Sequence, residues 1–244
     1  MTHGSLFSGI GGFDLAAQWC GWRNVFQCEN NEFCRKVLKY NFPESILYED
    51  IKETDFTGHK GTIDVISGGF PCQDISIAGY KKGIYAEKSG LFFEMLRAVD
   101  EIRPRYVVWE NVARIRKYLP VIVSAYSQIG FSSQWCTVCA SWIGFPHKRE
   151  RIFGIVYNTD VFGFDKIRIF ARSIEKAIHE ASQREFSRAN GWLLWLENYG
   201  EFLQEDDGIP GKLVKNEIGA YGNAVVPEIA RIIFNSIEQN KQIP

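Results

Sequence analysis

Gly68-Gly69-Phe70-Pro71-Cys72-Gln73 places a thiol directly after an apolar run, framed by glycines and a proline. That is an unusual setting for a core cysteine. A thiolate is a strong nucleophile, and a loop at the carboxyl edge of a sheet leaves it within reach of a substrate. The structural alternative is a buried loop cysteine. Trp109-Glu110-Asn111-Val112 ends a second apolar run with a carboxyl group beside an amide, a pair able to read the polar edge of a planar heterocycle. Asn111 as a helix cap is the alternative there. In Phe145-Pro146-His147-Lys148-Arg149-Glu150-Arg151, Arg149 and Arg151 face the same side if the chain is extended. The rigid fork of Arg151 suits a carbonyl or a carboxylate; a charged strand edge is the plainer reading.

Leu6-Phe7-Ser8-Gly9-Ile10-Gly11-Gly12-Phe13 runs from a short strand into a helix through a glycine-rich turn. Glycines allow close approach of backbone to a ligand, and in a doubly wound sheet this first turn opens into the ligand crevice. It is not the dinucleotide fingerprint, because Asp14 stands at the third glycine position, and no Gly-Lys-Ser/Thr follows as in a phosphate loop. Glu29 closes the next strand about 20 residues on, where an acid accepts hydrogen bonds from ribose hydroxyls; a surface carboxylate is the equal alternative from this position alone. Asp50-Ile51 ends the following segment and is placed to face a ring. Gly222-Asn223-Ala224-Val225-Val226-Pro227 reads as a turn before a last helix.

The elements that must carry these groups alternate. Asn24–Cys28, Thr62–Ser67, Tyr106–Trp109 and Arg151–Tyr157 read as strands. Phe13–Cys20 (stopped by Gly21), Asn31–Tyr40, the stretch from Leu91 to Ile102 and Pro227–Glu238 read as helices. The alternation predicts an α/β protein with a doubly wound, mostly parallel sheet and helices on both faces. From Asn158 the pattern breaks: Ser173–Arg188 reads as a charged amphipathic helix, followed by Trp192, Trp195 and Tyr199.

The 244 residues suffice for one large core with a smaller appendage, and the net charge of −1 lacks the basic balance of a general nucleic-acid binder. Contact with phosphates then falls to local patches: Lys81-Lys82, Arg114 with Arg116 and Lys117, and the His147–Arg151 run. No signal peptide is evident, and no apolar run approaches the roughly 20 residues of a membrane helix. A cytoplasmic protein without a membrane partner is the expectation. Six cysteines sit mainly in apolar stretches, as reduced core thiols do. Cys136-Thr-Val-Cys139 has no second ligand pair for zinc, and alternation over Gln134–Ala140 favours a strand. No metal is expected.

Taken in order, Phe7–Phe13, Gly69–Gln73, Glu110–Val112, Arg149–Arg151 and Gly222–Pro227 resemble the cytosine carbon-5 DNA methyltransferase family. Compact phage or prophage members look similar, with an Asp-Asp-Gly-Ile-Pro segment as at Asp206–Pro210. The resemblance implies a Rossmann-like fold dependent on S-adenosyl-L-methionine: a catalytic and cofactor domain over residues 1–157, a small variable target-recognition region over 158–210, and a returning segment over 211–244. It implies DNA methylation of the restriction-modification kind, on a base flipped out of double-stranded DNA, by a monomer. Cys72, Glu110, Arg149 and Arg151 would be catalytic. Cys72 would attack carbon 6, Glu110 would hold or protonate ring nitrogen 3, Arg151 would contact the base carbonyl, and Arg149 would support Glu110 or the loop. Phe7, Ser8, Gly9, Gly11, Gly12, Glu29, Asn30, Asp50, Ile51, Pro71, Leu91, Asn223 and Ala224 would bind the cofactor. Gln73, Ser76, Lys81, Lys82 and Asn111 would meet the substrate, with Asp74–Ser89 as a mobile loop closing on DNA. Trp192, Trp195, Arg168 and Arg172 are further candidates for DNA contact. His147 departs from the family's usual glutamine, and the motif just upstream of the last Gly-Asn segment is not recognisable. A relative acting on transfer RNA shares the same chemistry, and a non-catalytic DNA-binding relative would bind cofactor without turnover.

Overall fold

The computed structural model describes residues 1–71, 90–143, 149–162, 176–177, 180 and 224–240. Seven strands form one sheet: β1 (Thr2–Leu6), β2 (Arg23–Cys28), β3 (Ile46–Tyr48), β4 (Val65–Gly68), β5 (Tyr106–Val112), β6 (Phe131–Cys139) and β7 (Glu150–Asn158). Their spatial order is β3-β2-β1-β4-β5-β7-β6. The first five are parallel, and β7 runs antiparallel to both β5 and β6.

The helices follow the apolar spacing. In α3 (Leu91–Ile102) the residues Phe92, Met95, Leu96, Val99 and Ile102 are buried, one stripe at helical period. It ends at Arg103 in the left-handed region, with Pro104 next, which cannot continue a helix. α3 and α4 (Leu119–Gln128) cover one face of the sheet, packing on Leu6, Phe26, Ile66, Val107 and Trp109. α1 (Gly12–Trp19) and α5 (Pro227–Asn240) cover the other, with Val65, Val108, Phe153 and Ile155. α2 (Glu32–Asn41) lies beside α1, its N-terminus capped by the Asn31 side chain accepting from the Cys34 N–H. Phe234 of α5 stacks on Phe13 and Trp22, and Trp22 Nε1 donates to Glu238 Oε2 at 2.6 Å.

Two expected strands shift by three residues at one end, while β2 and β7 gain single residues at their ends. β4 begins at Val65, three residues later than expected, because Thr62 and Ile63 still belong to the turn closed by the Thr62 N–H on His59. β5 continues to Val112, three residues further, because β7 pairs with it along that whole length. The Cys136/Cys139 pair lies in β6, where a separation of three puts the thiols on opposite faces of the strand. Among the described residues no group of three His, Cys, Asp or Glu could hold a metal, and no helix is long and apolar enough to cross a membrane. Of the expected helix Ser173–Arg188 only Lys176, Ala177 and Glu180 are described; Arg168, Arg172, Trp192 and Trp195 lie outside the described residues.

Gly154 of β7 shows how tightly β5 is seated. A Cβ there would sit 1.9 Å from the Trp109 indole, which is 1% exposed and directly precedes Glu110. Gly154→Ala is therefore expected to cost roughly 1–3 kcal/mol by overpacking, read as a lowered melting temperature. An unchanged melting temperature would mean that the indole has room to move.

Candidate active site

The parallel strands β1, β4 and β5 end at one edge of the sheet. Because β7 is reversed, its first residues reach the same edge. Glu110 on β5 lies opposite Phe153, so Arg151, two residues earlier on β7, is its diagonal neighbour on the same face. Arg151 Nε donates to Glu110 Oε1 at 2.8 Å. Glu110 is only 7% exposed. Burial pushes its carboxyl up to about 7, against the opposing pull of the Arg151 and Arg149 charges. A carboxyl group at that value can hold or release a proton near neutral pH.

On the other face of β5, Asn111 donates from Nδ2 to the Phe70 carbonyl at 2.7 Å, and its Oδ1 accepts the Val112 N–H. This fixes the chain two residues before Cys72. A Cβ on Gly69 would lie 3.7 Å from Glu110 Oε2, so the Gly69-Phe70-Pro71 segment passes directly beside the carboxyl. Arg149 Nη2 donates to the Ala224 carbonyl at 2.7 Å, joining the start of β7 to the turn ahead of α5. A Cβ on Gly12 would meet the Val225 carbonyl at 2.6 Å, which joins that same turn to the glycine loop. Segments far apart in the chain thus meet at one rim. Arg151, expected at a base carbonyl, is engaged with Glu110, and Arg149 bonds Ala224 while its charge acts on Glu110.

The glycine loop carries backbone strain where it faces the crevice. Phe7 has φ +52°, a left-handed conformation that costs a non-glycine residue about 1–2 kcal/mol, and such outliers gather at ligand sites. Gly9 (φ +56°) and Gly11 (φ +89°) share the region, and no described residue lies within 4 Å of a Cβ built on Gly9. Glu29 Oε2 accepts the Gly9 N–H at 2.8 Å and Oε1 accepts the Asn31 N–H at 2.8 Å. Asn30, next to Glu29, is exposed, and its carbonyl accepts from Arg35. Asp50 Oδ1 accepts the Lys52 N–H, while Ile51 is buried and its carbonyl is held by Arg97 Nη2. Arg97 also reaches the Thr54 carbonyl, Glu94 and Glu101, tying the Asp50–Thr54 turn to α3. Leu91 stands half-buried at the start of α3, and Pro71 is exposed. Cys72, Gln73, Ser76, Lys81, Lys82 and Asn223 lie outside the described residues, as do all of Asp74–Ser89 and His147-Lys148.

Two parts of this arrangement escape sequence reasoning. One is the Asn111–Phe70 bond, which depends on β4 and β5 being neighbours. The other is a buried polar cluster beneath the glycine loop: His3, Ser5, Ser8, Asp14, Gln27 and Ser67. The one available signal was polar side chains at His3 and Ser5 in a strand that ends on apolar Leu6. A groove of about 460 Å³ between α2 and β3, with Gln27, Arg35, Phe42 and Leu47 among its walls, is lined by none of the predicted site residues.

The sequence profile described as C-5 cytosine-specific DNA methylase matches residues 1–191. The chain is 33% identical over 164 residues to the type II methyltransferase M.PspPI of Psychrobacter sp., covering 64% of this chain and 39% of that protein. It is 30% identical over 258 residues to the type II methyltransferase M.HpaII of Haemophilus parainfluenzae, covering 92% of this chain and 69% of that one. The chain thus spans less than half the length of several curated relatives it matches. Among solved structures, a candidate DNA modification methyltransferase encoded within an E. coli prophage aligns with TM-score 0.53 at 26% identity, covering 66% of this chain and 47% of that chain. A mutant DNMT2 of Spodoptera frugiperda aligns with TM-score 0.56 over 99% of this chain and 97% of that chain at 16% identity, a likeness of fold.

Proposed function

The chain belongs to the C-5 cytosine-specific DNA methylase family, and from that membership we propose that it methylates carbon 5 of cytosine in double-stranded DNA, with S-adenosyl-L-methionine as methyl donor. The observation that supports this most is the buried Glu110, paired with Arg151 beside the segment leading to Cys72. A carboxyl near neutral pKa next to a nucleophile is what addition to a poorly reactive ring requires.

The glycine loop fits the donor. The side of Gly9 that no described residue covers adjoins Glu29, whose carboxylate keeps acceptor capacity beyond its two backbone bonds. Glu29 would hold the ribose hydroxyls, Asp50 and Ile51 the adenine, and Phe7, Ser8, Gly9, Gly11, Gly12, Asn30, Pro71, Leu91, Asn223 and Ala224 would complete the site. When bound, the donor supplies a methyl group on a positively charged sulfur. Cys72 adds as the thiolate to carbon 6 of a flipped cytosine, because neither ring face is open inside the stack. Glu110 donates its proton to ring nitrogen 3 as electrons move there, and carbon 5 gains enamine character. After methylation, the carbon-5 proton passes to solvent water, its bonding pair re-forms the ring double bond and expels Cys72 as the thiolate, and the proton on ring nitrogen 3 returns to Glu110. Arg151 holds Glu110 in place while its remaining donors face the base carbonyl, and Arg149 keeps the 224–227 turn against this rim. Gln73, Ser76, Lys81 and Lys82 would contact DNA, and residues 158–210 would read the target sequence; Asn111, expected at the substrate, is buried with its amide bonded to Phe70 and Val112, and so holds the segment leading to Cys72. Every group this chemistry needs is on one chain, which supports action as a monomer; the cytoplasm, where DNA is accessible, is the proposed compartment.

Bisulfite sequencing of DNA from cells expressing the protein is expected to show cytosines protected at one short motif. Purified protein should transfer labelled methyl to duplex DNA and not to transfer RNA. Absence of protected cytosines together with transfer to RNA would overturn the DNA assignment.

A further inference from the structure

Asp14 is fully buried in the first turn of α1, and among the described residues no lysine or arginine pairs with it. The buried His3 has Nδ1 4.0 Å from Asp14 Oδ1. Its ring is taken by Asn24 at 2.7 Å and Ser67 at 2.8 Å, and burial pushes its pKa down to about 4, so it is neutral. Burial pushes Asp14 itself up to about 6, while hydrogen bonds from Ser5 and Gln27 pull the other way. A core that needed only packing would be served better by an apolar side chain.

What the carboxylate does is orient its neighbours. Ser5 Oγ lies 2.9 and 3.0 Å from the two Asp14 oxygens, and Gln27 Nε2 donates to Oδ1 at 3.1 Å. An ionised carboxylate only accepts, so the Ser5 proton points at Asp14. The Ser5 oxygen is then left to accept from Ser8 Oγ, 2.6 Å away. Ser8 Oγ in turn accepts the Cys28 N–H at 3.2 Å. The result is a one-way chain of donors from the end of β2, through the loop, to α1. Ser8 also donates its own N–H to the Cys28 carbonyl, and the adjacent Gly9 N–H is held by Glu29.

We propose that Asp14 is a positioning residue for the cofactor loop, acting through Ser5 and Ser8 to fix Phe7–Gly11 against Glu29. This rests on the loop being the S-adenosylmethionine site. The test is the dissociation constant of S-adenosylhomocysteine, measured by calorimetry on the full chain for the parent, Asp14→Asn, Ser5→Ala and the double variant. Each single change should weaken binding roughly tenfold or more, the scale of a buried hydrogen bond to a charged group. The double variant should be no weaker than the worse single, because the links act in series. The KM for cofactor should rise while kcat at saturating cofactor and the affinity for duplex DNA fall by far less. Binding equal to the parent in either folded variant, additive losses in the double, or parallel losses in kcat and DNA affinity would overturn the proposal. If Asp14→Asn fails to fold, unchanged binding by Ser5→Ala overturns it alone, and weakened binding with kcat held supports it. A parent that does not bind S-adenosylhomocysteine removes the cofactor reading itself, a result distinct from a parent that binds and variants that bind equally.

Discussion

Replacing Cys72 with serine is expected to abolish methyl transfer, a loss of roughly four orders of magnitude or more, as removal of an enzymic nucleophile gives. A serine hydroxyl is almost wholly protonated at neutral pH and lacks the polarizable sulfur that attacks an electron-poor ring carbon. The described cysteines packed around α1 and the glycine loop cannot substitute. Burial pushes Cys28 and Cys34 up to about 12 and Cys20 up to about 11, which leaves them as inert thiols. The variant should keep its affinity for S-adenosylhomocysteine, since the glycine loop is untouched. Duplex DNA carrying 5-fluorocytosine separates the possibilities further. Fluorine cannot leave as a proton does, so the parent should be trapped on the DNA as a complex that survives denaturing electrophoresis. A trapped complex with Cys72→Ser would assign the attack to another residue.

Glu110→Gln should slow the chemical step by roughly two to four orders of magnitude, the usual share of a general acid. Glutamine preserves shape and can still accept from Arg151, so the loss reports the proton and not the packing. The parent's activity should decline as pH rises through about 7, where Glu110 gives up the proton it must donate. Stability carries the same signature. The folded pKa is raised above the ordinary value of 4.5, so the folded state holds its proton more tightly than the unfolded chain. The favourable contribution is complete below the ordinary value and is lost as pH climbs through about 7. Urea denaturation across this range should show that fall in the parent and a flatter profile in Glu110→Gln. Equal turnover in the two proteins would remove Glu110 from the mechanism.

The legible parts of this molecule are those that local physics controls. The stripe from Phe92 to Ile102, the helix after Asn31 and the stop at Gly21, with φ +71°, follow from spacing and backbone preference alone. So does the strained turn at Gly9 and Gly11, since few other residues adopt those angles. What sequence reasoning misses depends on neighbours distant in the chain. The extra length of β5 exists because β7 lies beside it, and nothing within Tyr106–Val112 announces that partner. The bond from Asn111 to Phe70 and the Asp14 cluster are of the same kind. Arg149 and Arg151 were readable as two cations on one side of a strand, but their separate attachments, to Ala224 and to Glu110, required the sheet order.

The reversed strand has one more consequence, for how this protein can change. β7 is zipped on both flanks, to β5 from Val112↔Arg151 to Tyr106↔Tyr157 and to β6 from Cys139↔Glu150 to Phe131↔Asn158. Side chains alternate along it, so deleting one residue would turn both arginines to the opposite face, away from Glu110. Point changes here can be graded, whereas changes of length are all-or-nothing. Lineages of this fold are therefore expected to conserve the length of this strand more strictly than its composition, and to accumulate insertions elsewhere.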